Sequence, residues 1–312
     1  MPEPLTLPNA VSSDPAQQPE MLALLPAPSK PRRRVRVFQP ARLLLYVALV
    51  SYCLTSVGAF VWTVSISLKS NPEFFSTSPW SLPKHPTLDN YRSAWSVAHF
   101  GQFFLNSAVL TVTTVSISLV ISAMAAYALG RIRFRGNGAV SMFFLSGLMI
   151  PGFLVIVPLY FLLRDLHLLG SLLGLGIVYV ATQIPFNIYV LSGFFRTLPQ
   201  ELEEAAYVDG ASAFATFWRV MLPLAGPGIA SVALLNALTI WNEFFFALVF
   251  LSDEHKFTLP LGLYRLSINA EYSAQWTQMF AGLVLAMIPV LIVFGVAQER
   301  ITRGLTLGAL KG

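Results

Sequence analysis

A chain of 312 residues that is 55% hydrophobic and only 11% charged has too little polar surface to face water on all sides, which excludes an ordinary soluble domain. Its net charge of +5 comes from Lys and Arg that flank apolar stretches instead of forming a basic stripe with interleaved aromatics, so no nucleic-acid partner is expected. The single cysteine, Cys53, leaves no intramolecular disulfide; His85, His99, His167 and His255 lack metal-ligand spacing; and no GxxxxGK[ST], HExxH or GxSxG sequence occurs, so neither a metal site nor an ATP site is expected in this chain.

Residues 1–42 carry nine prolines and read as a disordered cytoplasmic tail. The arginine run Arg32–Arg36 would anchor the topology of the first span beside anionic membrane lipid. A hydrocarbon core of about 30 Å needs roughly 20 apolar residues in a helix. Six stretches meet that need: Leu43–Leu68, Phe103–Leu129, Val140–Leu163, Leu172–Phe195, Pro227–Leu251 and Met279–Ala297. Continuous apolar runs exclude a β-barrel and predict an all-α, polytopic bundle of six spanning helices over residues 43–312. Residues 69–102, with Pro72, Pro79, Pro83 and Pro86, and residues 252–278, with Tyr272 and Trp276 at the interface, read as long outer segments with few helix signals. Fourteen Lys and Arg fall on the side of the N-terminus and six on the other, which places both chain ends in the cytoplasm of a cell-membrane protein.

The fourth connection, residues 196–226, is longer than a join between spans requires. Pro199 opens a predicted helix, and Glu201, Glu203 and Glu204 place negative charge at the positive end of its dipole. Leu202, Ala205, Ala206 and Val208 form a small apolar face, and Asp209-Gly210 provides a stop through the left-handed conformation open to glycine. Ser212 caps a second predicted helix through Trp218, which Leu222-Pro223 breaks. Two short helices on a glycine hinge predict a cytoplasmic docking knob.

Polar groups inside spans are costly and face a pathway or a neighbouring helix. They occur at Gln183 and Asn187 around Pro185, and at Asn236, Asn242 and Glu243 beside Trp241. Asn236 and Glu243 are seven residues apart and so share a predicted helical face. Amides with an indole suit the hydroxyls and ring face of a sugar; equally, Asn236 and Gln183 would bond neighbouring helices, with Glu243 near the outer interface. A stand-alone secondary transporter or channel is the alternative function, but it needs recurring relay carboxylates and only Glu243 lies within a span. No intramembrane Ser–His or paired Asp arrangement points to an enzyme.

Glu204-Ala205-Ala206, then Gly210, Val220 and Leu222-Pro223, resembles the EAA signature (EAA-x3-G-x9-I-x-LP) of ATP-binding-cassette importer permeases, with Val220 for the usual Ile. Asn90-Tyr91, Asn106-Ser107, Ala125–Leu129 with Arg131, Met149-Ile150-Pro151, Trp241–Phe244 and the terminal Gly304–Gly312 resemble the carbohydrate-uptake branch, in particular its maltose-type second permease. The resemblance covers about residues 40–312 and leaves the tail unexplained. It implies the type I importer permease fold and a carbohydrate or polyol substrate. It also implies a second permease subunit, two ATP-binding subunits that use ATP and Mg, and an extracytoplasmic substrate-binding protein. Glu204, Ala205, Ala206, Asp209, Gly210, Leu222 and Pro223 would then be the ATPase-coupling residues.

Overall fold

The computed structural model describes the backbone of residues 39–96 and 99–309 and the side chains of residues 42–96 and 99–295. The tail reading for residues 1–38 lies outside the described residues; a helix already begins at Gln39. Among the described residues the secondary structure is entirely helical, as the composition predicts.

Helix α1 (Gln39–Ser67) is long and apolar enough to cross a membrane. Short helices α2 (Asn71–Ser76) and α3 (Asp89–Ser96) follow, where long irregular structure was expected. Their cause is local and polar. The Ser70 hydroxyl accepts from Glu73 N at 3.4 Å with Pro72 in the first turn, and the fully buried Lys69 ammonium reaches Ser78 O and Ser81 Oγ at 3.1 and 3.0 Å. Asn90 Nδ2 ties α3 back to Ser67 O and Lys69 O at 2.8 and 2.7 Å.

Helix α4 (Phe100–Arg131) is the long central element and packs along α7 (Leu172–Thr197). Small buried residues at helical spacing, Ser107, Thr111, Thr114, Ser118, Ser122 and Ala126, let α4 approach its neighbours closely. Between them in sequence lie α5 (Asn137–Leu148), a 3₁₀ turn (Gly152–Val155) and α6 (Ile156–Asp165). This corrects the third expected span: Val140–Leu163 is not one straight helix but is bent by 92°. Pro151 disfavours helical backbone at Ile150, which ends α5 and restarts the chain in a new direction.

The connection after α7 forms α8 (Glu201–Val208), α9 (Ala213–Thr216), a π turn (Phe217–Met221) and α10 (Leu222–Leu224). The chain then turns by 74° into α11 (Gly226–Trp241). Leu222-Pro223 therefore does not break the helix; the break falls at Ala225. The π turn explains this, because Leu222 N bonds to Phe217 O five residues back and the widened turn accommodates a proline that has no N–H to offer. The fifth expected span is also interrupted: α11 ends at Trp241 and α12 (Phe245–Phe250) starts afresh. Where residues 252–278 were expected to be irregular, a 3₁₀ turn (Glu254–Lys256) leads into α13 (Leu259–Ser273), followed by α14 (Trp276–Ala309). Four helices are long and apolar enough to cross a membrane, and counting each bent pair as one span brings the number to six.

Two apolar clusters straddle the α4–α7 seam. Toward the Phe100 end, Leu110, Leu175, Tyr179, Ile240 and Phe250 pack together. Toward the Arg131 end, Tyr127, Leu191, Phe195, Phe217, Met221 and Val232 do so, and this second cluster seats the connection between α7 and α11 on the bundle.

Candidate coupling loop and substrate path

The loop's geometry follows from its first helix and its hinge. The Glu201, Glu203 and Glu204 side chains lie in the first turn of α8, where orphan amides and the dipole favour carboxylates. Glu204 is exposed and accepts from Gln200 Nε2 at 3.1 Å, while Glu203 turns inward and is buried. Ala205 faces out and Ala206 packs inward. Asp209 is exposed, and Gly210 takes φ +80°, with Gly210 N on Tyr207 O at 3.0 Å and Ala211 N on Ala206 O at 2.9 Å closing the helix end. The Ser212 hydroxyl then accepts from Ala215 N at 3.3 Å, capping the second helix as its position predicts. Leu222 is half-buried and Pro223 exposed. Val208 is 87% and Phe214 64% exposed, so the two arms of the hinge present apolar side chains that no other described residue covers.

The polar residues of the spans separate into two groups. Asn236 Nδ2 donates to Asn187 Oδ1 at 2.8 Å, and both residues are fully buried. The Tyr179 hydroxyl donates to Glu243, whose carboxylate also accepts from Phe246 N at 2.8 Å and Ala247 N at 3.3 Å. Glu243 is thus not on the face of a continuous helix with Asn236: it sits in the break and caps α12, and a carboxylate offered to the backbone there is what interrupts the span. Tyr179 and Asn187 are eight residues apart on α7, so both contacts join α7 to the α11–α12 region along one face.

Trp241, Asn242 and Gln183 form the second group, being half-buried, exposed and half-buried in turn. The Trp241 ring meets Phe104 edge-on at 5.5 Å and lines two grooves of about 320 and 290 Å³, the larger shared with Asn242, Pro260 and Leu263. The Asn242 amide turns back to Leu238 O at 2.8 Å, which leaves its carbonyl oxygen available. Gln183 stands one turn from Asn187 on α7.

Sequence reasoning did not single out Tyr179 or the pair Arg131–Glu203 as site residues. Arg131 Nε lies 3.0 Å from Glu203 Oε2, with their side chains only 11% and 10% exposed. The signal was present as an arginine ending one span and an extra glutamate before the EAA run, but their 72-residue separation hides the contact.

A helical bundle with broken candidate spans and a two-helix loop seated on its Arg131 end agrees with the importer-permease class that the loop's sequence resembles. Residues 118–307 match the family described as binding-protein-dependent transport system inner membrane component, and the chain belongs to that family. It is 37% identical to the diacetylchitobiose uptake system permease protein NgcG of Streptomyces coelicolor, over 89% of this chain and 90% of that one. It is 32% identical to the galactooligosaccharides transport system permease protein GanQ of Bacillus subtilis, over 92% of this chain and 99% of the relative. Among solved structures it resembles a chain of a bacterial ABC transporter involved in import of the acidic polysaccharide alginate, with TM-score 0.76 and 28% identity over 85% of this chain and 97% of that chain. The chain is accordingly a multi-pass permease subunit of an ABC importer with the type I fold.

Proposed function

We propose that this permease carries a carbohydrate into the cytoplasm, delivered by an extracytoplasmic binding protein and driven by ATP hydrolysis in two separate ATP-binding subunits, with a second permease completing the path. The observation that carries the reading is the hinged loop: α8 and α9 meet at a left-handed Gly210, and the exposed Ala205, Val208 and Phe214 offer a small-residue and apolar surface to a partner. ATP and Mg belong to the partners, and Glu204, Ala205, Ala206, Asp209, Gly210, Leu222 and Pro223 are the coupling residues. The substrate class rests on the relatives, which are permeases of uptake systems for diacetylchitobiose and galactooligosaccharides, and on alginate import by the structural neighbour. Trp241 and Asn242 are the groups of this chain best suited to a sugar, an indole face beside a free amide oxygen. Gln183 stays a candidate by its half-buried position in the same span as Tyr179. Asn187, Asn236 and Glu243 contribute by holding the helices that frame the path.

Orientation follows the Lys and Arg asymmetry, with the loop and both chain ends in the cytoplasm. A secondary transporter gains no support, because Glu243 is committed to Tyr179 and to two backbone amides. The deciding experiment is uptake of radiolabelled diacetylchitobiose and galactooligosaccharides into proteoliposomes containing the assembled complex and its binding protein. Uptake that requires ATP inside and the binding protein outside is expected; uptake by the permease alone would sink the proposal.

A further inference from the structure

Arg131 is the last residue of α4, and its side chain leaves that helix to hold a distant part of the chain. Its guanidinium donates from Nε to Glu203 Oε2 at 3.0 Å, from Nη1 to Leu198 O at 3.0 Å and from Nη2 to Pro199 O at 3.2 Å. Leu198 caps α7, Pro199 enters the loop, and Glu203 lies in the first turn of α8. One planar fork therefore joins three elements, which a lysine ammonium cannot reproduce with the same fixed geometry. With side chains 11% and 10% exposed, the pair is little screened by salt, and removal of either member strands a charge.

A second contact lies on the same face of α4. Tyr127, one turn before Arg131, packs against Phe195 of α7 at 5.7 Å and against Phe217 of the π turn at 5.3 Å. The loop is thus held to α4 on both sides of Gly210, through Arg131 on the α8 arm and through Tyr127 on the other. Helices α7 and α11 follow the loop's movement because the chain connects them to it. Helix α4 has no such covalent connection, and Arg131 supplies a polar one.

We infer that Arg131 and Glu203 are the link through which displacement of the coupling loop is passed to α4, with Arg131 acting as a positioning residue. The inference rests on the reading of α8 as the ATPase-docking helix and adds the route by which the push enters the central span. A loop tied only to its adjoining helices would rock α7 and α11 against a stationary α4. The guanidinium makes α4, α7 and α8 move together.

The test uses the full complex in liposomes with its binding protein. Arg131→Gln and Glu203→Gln are each compared with wild type and with Arg131→Lys, all on an Ala205→Cys background that reports cross-linking to the ATPase. The readouts are basal ATP hydrolysis, hydrolysis stimulated by the binding protein, and cross-link yield. Both glutamine variants are expected to keep the cross-link and basal hydrolysis while stimulated hydrolysis falls about tenfold, with Arg131→Lys in between. Wild-type stimulation in both glutamine variants overturns the link. Joint loss of the cross-link and of basal hydrolysis also overturns it, since the pair would then only shape the loop. Absence of the Ala205→Cys cross-link in the otherwise wild-type complex overturns the docking reading instead, so the two failures are separable.

Discussion

Asn187 and Asn236 illustrate what a buried amide does in a membrane bundle. Each is fully buried, and the bond between them at 2.8 Å gives the Asn187 carbonyl a donor that lipid could not supply. Replacing Asn236 by alanine leaves the Asn187 carbonyl without its donor and is expected to destabilise the bundle by about 1 kcal/mol, seen as a lower Tm of the detergent-solubilised permease. Trp241→Ala is expected to do the opposite: it removes a half-buried ring at the edge of a groove, so uptake should fall while Tm and subunit co-purification stay as in wild type. If Trp241→Ala lowers Tm as much as Asn236→Ala does, the indole is a packing residue and leaves the substrate path.

Two glycines do different work at the level of elements. Gly262 in α13 is a matter of space: a Cβ there would lie 2.1 Å from Phe103 Cδ2, and Phe103 is itself buried in the cluster with Phe100, Leu259 and Leu266. Gly262→Ala should therefore push α13 off α4 and cost about 1–3 kcal/mol, measured as reduced Tm and yield. Gly210 is a matter of backbone: among the described residues no heavy atom lies within 4 Å of its would-be Cβ, yet φ is +80°. Gly210→Val should impose about 1–2 kcal/mol of strain and lower coupled ATP hydrolysis, whereas Gly210→Asn, which tolerates the left-handed region, should retain most of it. Equal coupling in both variants would remove the hinge geometry from the mechanism.

For the whole molecule, the orientation is open to direct measurement. Lys84 and Arg133 are exposed and lie on opposite sides of the expected membrane. Impermeant maleimide added to intact cells should label a Lys84→Cys variant and spare Arg133→Cys, with the pattern reversed in inside-out vesicles; the converse would invert the topology. A complex purified through this chain is likewise expected to bring two ATP-binding subunits and a second permease. The exposed apolar surface of the hinged loop fits a partner contact, because single soluble chains rarely leave such surfaces bare.

Much of this protein was determined by the sequence alone, since hydrophobic length, charge asymmetry and helix-end residues are local quantities. The apolar stretches, the two-helix loop, the Ser212 cap and the left-handed Gly210 all follow from residues within a turn or two of each other. Tertiary structure decided what depends on partners far apart in the chain. Whether Glu243 faces a path or caps a helix turns on Tyr179, whether Asn236 meets a sugar or a neighbour turns on Asn187, and which of Glu203 and Glu204 is buried turns on Arg131. The broken third and fifth spans belong with these: hydropathy counts apolar residues without sensing breaks, while the chain turns at Pro151 and the helix is interrupted at Glu243 within apolar runs. Hydropathy reads the medium around a helix, and only packing selects the partner of each polar group.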